Sequence, residues 1–323
     1  MNDYFPGAQY LYLTVYIVTF VTGLPTNIIA LCTFITKFRR KVVPVDILLI
    51  NLTVSDLLLL LFLPFKMAEA TSGMKWRLPY FLCPLSRFLF FSSIYLTTMF
   101  LAAVSVERYV GVAYPVKYKL FRKPVYYVVF SILTWFLALS HCSVVYIVQH
   151  YLPLNESSHN FTALCYSKFS REQLAILLPV RLEMCLFLFC FPFIITTFCY
   201  SHFIKIIMSQ QYMSKARKKR AIGLVGATLL NFIICFIPYN ISHIVGYIQG
   251  DSPSWRAYAL LMSTFNASVD PIIFYFSSSA FQKIVWAGMA QMMKTLHLSC
   301  YNFSTFPSTR DNETGDTRTD HGS

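Results

Sequence analysis

The chain alternates long apolar runs with short polar interruptions. Crossing about 30 Å of hydrocarbon takes roughly 20 helical residues. Seven runs meet that length, at residues 10–36, 44–68, 81–114, 124–148, 174–208, 219–248 and 257–278. The pattern predicts an all-α membrane protein, a seven-transmembrane helix bundle over residues 10–278, preceded by an extracellular stretch of residues 1–9. Beyond the last run, Phe281, Ile284, Val285, Met289 and Met292 recur at helical spacing, while Gln282, Lys283 and Lys294 fall on other sides. That periodicity predicts a short amphipathic helix over residues 279–300 on the membrane surface, in contact with lipid. Residues 301–323 are polar and rich in Ser and Thr, the pattern of a disordered cytoplasmic tail open to phosphorylation. No polar stretch between the runs could fold as a separate soluble domain, so the bundle must carry the function.

Composition sharpens this picture, since 56% of residues are hydrophobic and only 13% charged. The net charge of +13 could suggest nucleic acid, but its placement argues against it. Lys37, Arg39, Arg40 and Lys41 follow the first run, Lys117, Lys119, Arg122 and Lys123 the third, and Lys215 to Arg220 the fifth. Alternate loops are therefore basic, which by the positive-inside rule puts them in the cytosol, the N-terminus outside and the C-terminus inside. Met1 to Tyr10 lacks a basic n-region, so no cleavable signal is expected.

Of nine cysteines, Cys32, Cys142, Cys185, Cys190, Cys199 and Cys235 lie within runs and read as small hydrophobes. Cys83 and Cys165 fall on the outer side, where an oxidising compartment favours their pairing. Cys300 follows the last run and is a candidate for S-palmitoylation. The loop holding Cys165 also carries two glycosylation acceptors, Asn155 and Asn160.

Candidate chemistry sits at the outer ends of the runs. Arg181 and Arg256 are cations in apolar surroundings, where a charge costs roughly 2.5 kcal/mol or more and usually marks a ligand path. Two guanidiniums offer planar forks that match the two oxygens of a carboxylate. Phe236, Asn240, His243 and Tyr247 share a helix face flanked by Tyr239, which brings polar groups beside the arginines. Tyr95 and His141 are second candidates, and Phe91, Tyr95, Tyr146 and Tyr239 are expected to crowd a ligand's tail.

A further set of residues stands in order along the chain. Asn27 follows Gly23, Asp56 closes Asn51-Leu52-Thr53-Val54-Ser55-Asp56, and Glu107-Arg108-Tyr109 ends the third run. Trp135, Tyr200, Phe232-x-x-Cys235-Phe236-x-Pro238-Tyr239 and Asp270-Pro271-Ile272-Ile273-Phe274 follow. With Cys83 and Cys165, this set resembles the class A (rhodopsin-like) G-protein-coupled receptors. Leu63-Pro64-Phe65-Lys66, Leu178-Pro179-Val180-Arg181-Leu182-Glu183 and Pro238 to His243 narrow the likeness to the short-chain free fatty acid receptors. Phe236 departs from the tryptophan common in class A, and Asp270 and Phe274 from the usual Asn-Pro-x-x-Tyr.

The resemblance implies short-chain carboxylate agonists, coupling chiefly to heterotrimeric Gi/o proteins, arrestin binding through a phosphorylated tail, and a plasma-membrane location. It implies a carboxylate clamp at Arg181 and Arg256 with His243, Tyr239 and the loop residue Tyr166 nearby. It also implies coupling and activation roles for Glu107, Arg108, Tyr109, Tyr200, Phe236, Pro238, Asp270 and Pro271, with Arg108 held at rest by Glu107 or a neighbour. Asp56 and Asp270 should approach each other and either share a proton or hold sodium, with no other cofactor or metal expected.

Rival classes fit less well. A retinal protein needs a lysine in the last run, which has none; a transporter would favour internal repeats and broken helices. An enzyme would need a nucleophile beside a base, and no such constellation is present. A receptor for a hydroxycarboxylate or another small anion is the nearest alternative.

Overall fold

The computed structural model describes residues 7–40, 42–79, 81–151 and 169–277, with some positions from 279 to 294. Seven helices are long and apolar enough to cross a membrane. Spans one to three are Ala8–Arg40, Pro44–Thr71 and Leu82–Ala113, and span four is the helix Pro124–Tyr151. Spans five to seven are Arg171–Ser209, Lys215–Gln249 and Arg256–Phe276. Each coincides with one predicted run. The helix Pro115–Phe121 adds a short element between spans three and four. The described positions from 281 to 294 are helical, as the periodicity predicts, whereas Ile284, Val285, Met289 and Met292 lie outside the described residues.

The bundle inverts the arrangement of a soluble protein. Span four turns Ile132, Leu133 and Phe136 outward, each at least 60% exposed, to a surface that lipid would cover. Polar side chains gather inside, where hydrogen bonds between helices replace a hydrophobic driving force. Asn27 Nδ2 donates to the Ala267 carbonyl at 2.7 Å, joining spans one and seven. Gly23 permits that approach, since a Cβ there would lie 3.2 Å from the Ala267 carbonyl oxygen. Trp135 Nε1 donates to Asn51 Oδ1 at 2.8 Å, tying span four to span two. Asn266 Nδ2 reaches Asp56 Oδ1 at 3.3 Å and Thr97 Oγ1 at 3.2 Å, and Asn231 Nδ2 reaches Asp270 Oδ1 at 2.9 Å.

Two spans change pitch where the sequence places proline. Cys185–Cys190 and Phe232–Phe236 are π-helical, just before Pro192 and Pro238. Proline lacks an N–H and its ring collides with the carbonyl four residues back, and a wider turn relieves both. The carbonyl left over by Pro192 is that of Leu188, and Thr98 of span three donates to it at 2.7 Å. Span seven is interrupted at Thr264 and Phe265, contrary to the expectation of unbroken helices. Thr264 and Phe265 donate their N–H groups three residues back, to Leu261 and Met262, which tightens the turn.

Candidate ligand-binding and coupling sites

Spans three, five, six and seven bring the candidate residues to one small cavity at the end opposite the basic loops. Its volume is about 30 Å³, and Phe91, Tyr95, Phe169, Arg181, Tyr239, His243 and Arg256 line it with Cys142, Val145 and Met184. Arg181 is only 5% exposed. Its Nη1 donates to Ser252 Oγ at 2.9 Å, and its guanidinium lies 5.0 Å from the Phe169 ring centre. Arg256 Nη2 donates to Tyr239 Oη at 3.0 Å, while its Nε is buried without a hydrogen-bond partner among the described residues. Neither arginine pairs with a carboxylate among the described residues. Two cations thus face one cavity and, among the described residues, meet only neutral groups.

The walls are fixed by aromatic packing. The proline at 238 opens a new helix, and Tyr239 and His243, four apart on it, both turn inward with ring centres 4.5 Å apart. Tyr95 Oη and His243 Nε2 share a hydrogen bond at 3.2 Å, leaving His243 Nδ1 buried and unpartnered among the described residues. Phe91 stacks on Tyr239 at 6.2 Å with the rings nearly parallel. The cavity therefore offers donors together with aromatic and apolar walls.

Not every predicted residue arrives there. Asn240 is buried, but its Nδ2 donates to the Phe236 carbonyl within its own helix. His141 reaches Glu183 at 3.2 Å, between spans four and five, and Tyr146 packs edge-on against Phe88. Tyr247, placed on the same face as His243, is 49% exposed and does not line the cavity. Cys83 is disulfide-bonded and the other described cysteines are free; Cys165, Tyr166, Asn155, Asn160 and Cys300 lie outside the described residues. Phe169, Met184 and Ser252 were not anticipated. Phe169 and Ser252 come from the segments flanking spans five and seven, where sequence gives no periodicity to read.

At the opposite end a cavity of about 480 Å³ is bordered by Glu107, Arg108, Phe203, Arg217, Arg220 and Phe276. Glu107 accepts hydrogen bonds from Tyr118 and Tyr127 and pairs with Arg122 at 3.2 Å. Burial and the Glu107 carboxylate hold the Tyr118 phenol above its ordinary range, so it remains a donor. Tyr109 packs its ring against Phe198 and His202 of span five. Tyr200 Oη lies 3.5 Å from Thr228 Oγ1, joining spans five and six. Phe236 is fully buried and meets Phe232 edge-on within span six.

Seven spans, with two arginines on an aromatic-walled cavity at one end and a basic cavity at the other, fit a membrane receptor. The family model described as 7 transmembrane receptor (rhodopsin family) matches residues 26–274. The chain is 51% identical to Free fatty acid receptor 3 of Mus musculus over 294 residues, 91% of each chain. It is 52% identical to Free fatty acid receptor 3 of Homo sapiens over 281 residues, covering 87% of this chain and 80% of that one. Free fatty acid receptor 2 of Mus musculus is 48% identical over 280 residues, 86% of this chain and 85% of its own. The chain belongs to the free fatty acid receptor family of rhodopsin-like G-protein-coupled receptors. It is a multi-pass membrane receptor and not an enzyme, as the resemblance implied.

Proposed function

We propose that this receptor answers short-chain carboxylates such as acetate, propionate and butyrate. The relatives' names specify free fatty acids, and the observation that carries the reading is the pair Arg181 and Arg256, both lining one cavity with only neutral partners among the described residues. A carboxylate would take the donors that these neutral groups leave over, with Tyr239 and His243 beside it. A site for one water takes roughly 10–15 Å³ in such a measure. The cavity of about 30 Å³ thus has room for about two or three waters, so even a short acid has to push the aromatic walls apart, and a long chain has no room.

The reading extends inward. The receptor sits in the plasma membrane with its N-terminus outside and its basic loops in the cytosol. Agonist acts by binding the active form more tightly, which shifts the population. Spans five and six then part, and Arg108 in the basic cavity meets a heterotrimeric G protein of the Gi/o class. Arrestin follows on the phosphorylated tail, and Cys83 pairs with Cys165. A cation also fits the middle of the bundle. Asp56 Oδ2, Asp270 Oδ2, Asn231 Oδ1 and Asn266 Oδ1 are buried acceptors without a hydrogen-bond donor among the described residues; a sodium ion would draw on such oxygens, whereas a shared proton would join the two carboxylates alone.

The test is propionate-driven nucleotide exchange at matched surface expression. Arg181→Ala and Arg256→Ala should each weaken potency by one to two orders of magnitude, the loss of about 1.5–3 kcal/mol for a charge-assisted contact. Full potency in both variants would remove the clamp.

A further inference from the structure

Arg181 has a single side-chain acceptor among the described residues, and it does not come from the spans. It is Ser252 Oγ, 2.9 Å from Nη1, in the loop between spans six and seven. The local sequence explains how that loop reaches back. Span six ends at Gln249, and Gly250 takes a left-handed conformation at φ +69°, which turns the chain over the helix end. Asp251 Oδ1 then accepts the Ser252 N–H at 2.6 Å, fixing the next residue. Behind this turn the loop rests on Gly246. A Cβ there would lie 3.0 Å from the Asp251 carbonyl oxygen and 3.3 Å from Pro253 Cδ. Pro253 in turn accepts the Arg256 N–H at 3.0 Å, so the same loop starts the helix that carries the second arginine.

We infer that Ser252 is a positioning residue for the carboxylate clamp, and that Gly246 is the seat that lets its loop deliver it. The inference rests on the reading of Arg181 as a ligand contact. A buried arginine beside a second cation would tend to withdraw its head toward water. An acceptor on one edge of the guanidinium opposes that withdrawal and turns the opposite edge to the cavity. A hydroxyl does this without cancelling the charge. A carboxylate in its place would hold the arginine more firmly but compete with the ligand.

The experiment is a propionate concentration–response on the full-length receptor at matched surface expression. Ser252→Ala should weaken potency about threefold to tenfold, the span of one hydrogen bond, and Ser252→Thr should restore it. Gly246→Val, which displaces the whole loop, should cost more than Ser252→Ala. In an Arg181→Lys background the effect of Ser252→Ala should shrink, because the two residues act as a unit. Unchanged potency in Ser252→Ala, the same fold loss in both backgrounds, or lower surface display with normal potency would each overturn the proposal. Arg181→Ala separates the two claims. If it retains potency, the clamp itself fails; if it loses potency while Ser252→Ala is silent, only the positioning role fails.

Discussion

Two pairs of cations, each with one buried and one part-buried member, lie toward the same end of this bundle, and they are partnered differently. Lys66 and Arg87 share one carboxylate, with Lys66 Nζ 2.8 Å and Arg87 Nη2 3.4 Å from the two oxygens of Glu69. Lys66 also lies 5.4 Å from the Trp76 ring centre, so the group ties span two, span three and the connection between them. Arg181 and Arg256 meet a serine hydroxyl, a phenol and two aromatic faces instead. A cation whose carboxylate is built in serves architecture. One whose described partners are all neutral leaves its charge for something that arrives.

The two groups should therefore fail in opposite ways. The largest effect belongs to Glu69→Gln, which leaves a buried and a part-buried cation without their carboxylate. Breaking such a group typically costs about 3–5 kcal/mol, so thermal stability and surface display should drop sharply. Stability close to wild type would show that Glu69 is not the keystone of that corner. Arg181→Ala removes a buried cation that has no counter-charge among the described residues, so it should leave thermal stability nearly intact while potency falls. A variant that unfolds yet keeps its potency would reverse the comparison.

Smaller effects grade the clamp itself. Arg256→Lys keeps charge but loses the fork, and should recover only part of the potency lost in Arg256→Ala. Recovery in full would mean that charge alone suffices. Phe91→Ala should have the smallest effect, moving the preferred acid toward longer chains by a carbon or two, since each buried methylene adds at most about 0.8 kcal/mol. An unmoved optimum would take Phe91 out of the tail site.

Much of this arrangement can be read along the chain. The seven spans follow from run length alone, because a bilayer leaves the backbone few alternatives to a helix. Tyr239 and His243 share a face by spacing, and both reach the cavity. Contacts that depend on the loops are another matter. Ser252 meets Arg181 only because Gly250 turns the chain and Gly246 makes room, and no periodicity announces that. Phe169 lies just ahead of span five, where the helical pattern has not begun. Arg108 is expected to be held at rest by Glu107 or a neighbour; what the spacing does not announce is that Tyr118, Arg122 and Tyr127, from the short helix after span three, the link that follows it and the start of span four, gather on Glu107. The triad at Glu69 did leave a trace, since Lys66 and Glu69 are three apart on an otherwise apolar helix.

The most direct test of an unneutralised pair is to vary the ligand's charge at constant shape. Nucleotide exchange should be measured with acetate, propionate, butyrate and hexanoate, with propionamide as the neutral match of propionate, and with lactate and succinate as rival anions. The receptor should respond to the short acids with a peak near propionate or butyrate and should not respond to propionamide. Activation by propionamide as potent as by propionate, or a receptor that ignores every short fatty acid and answers lactate, would contradict that expectation.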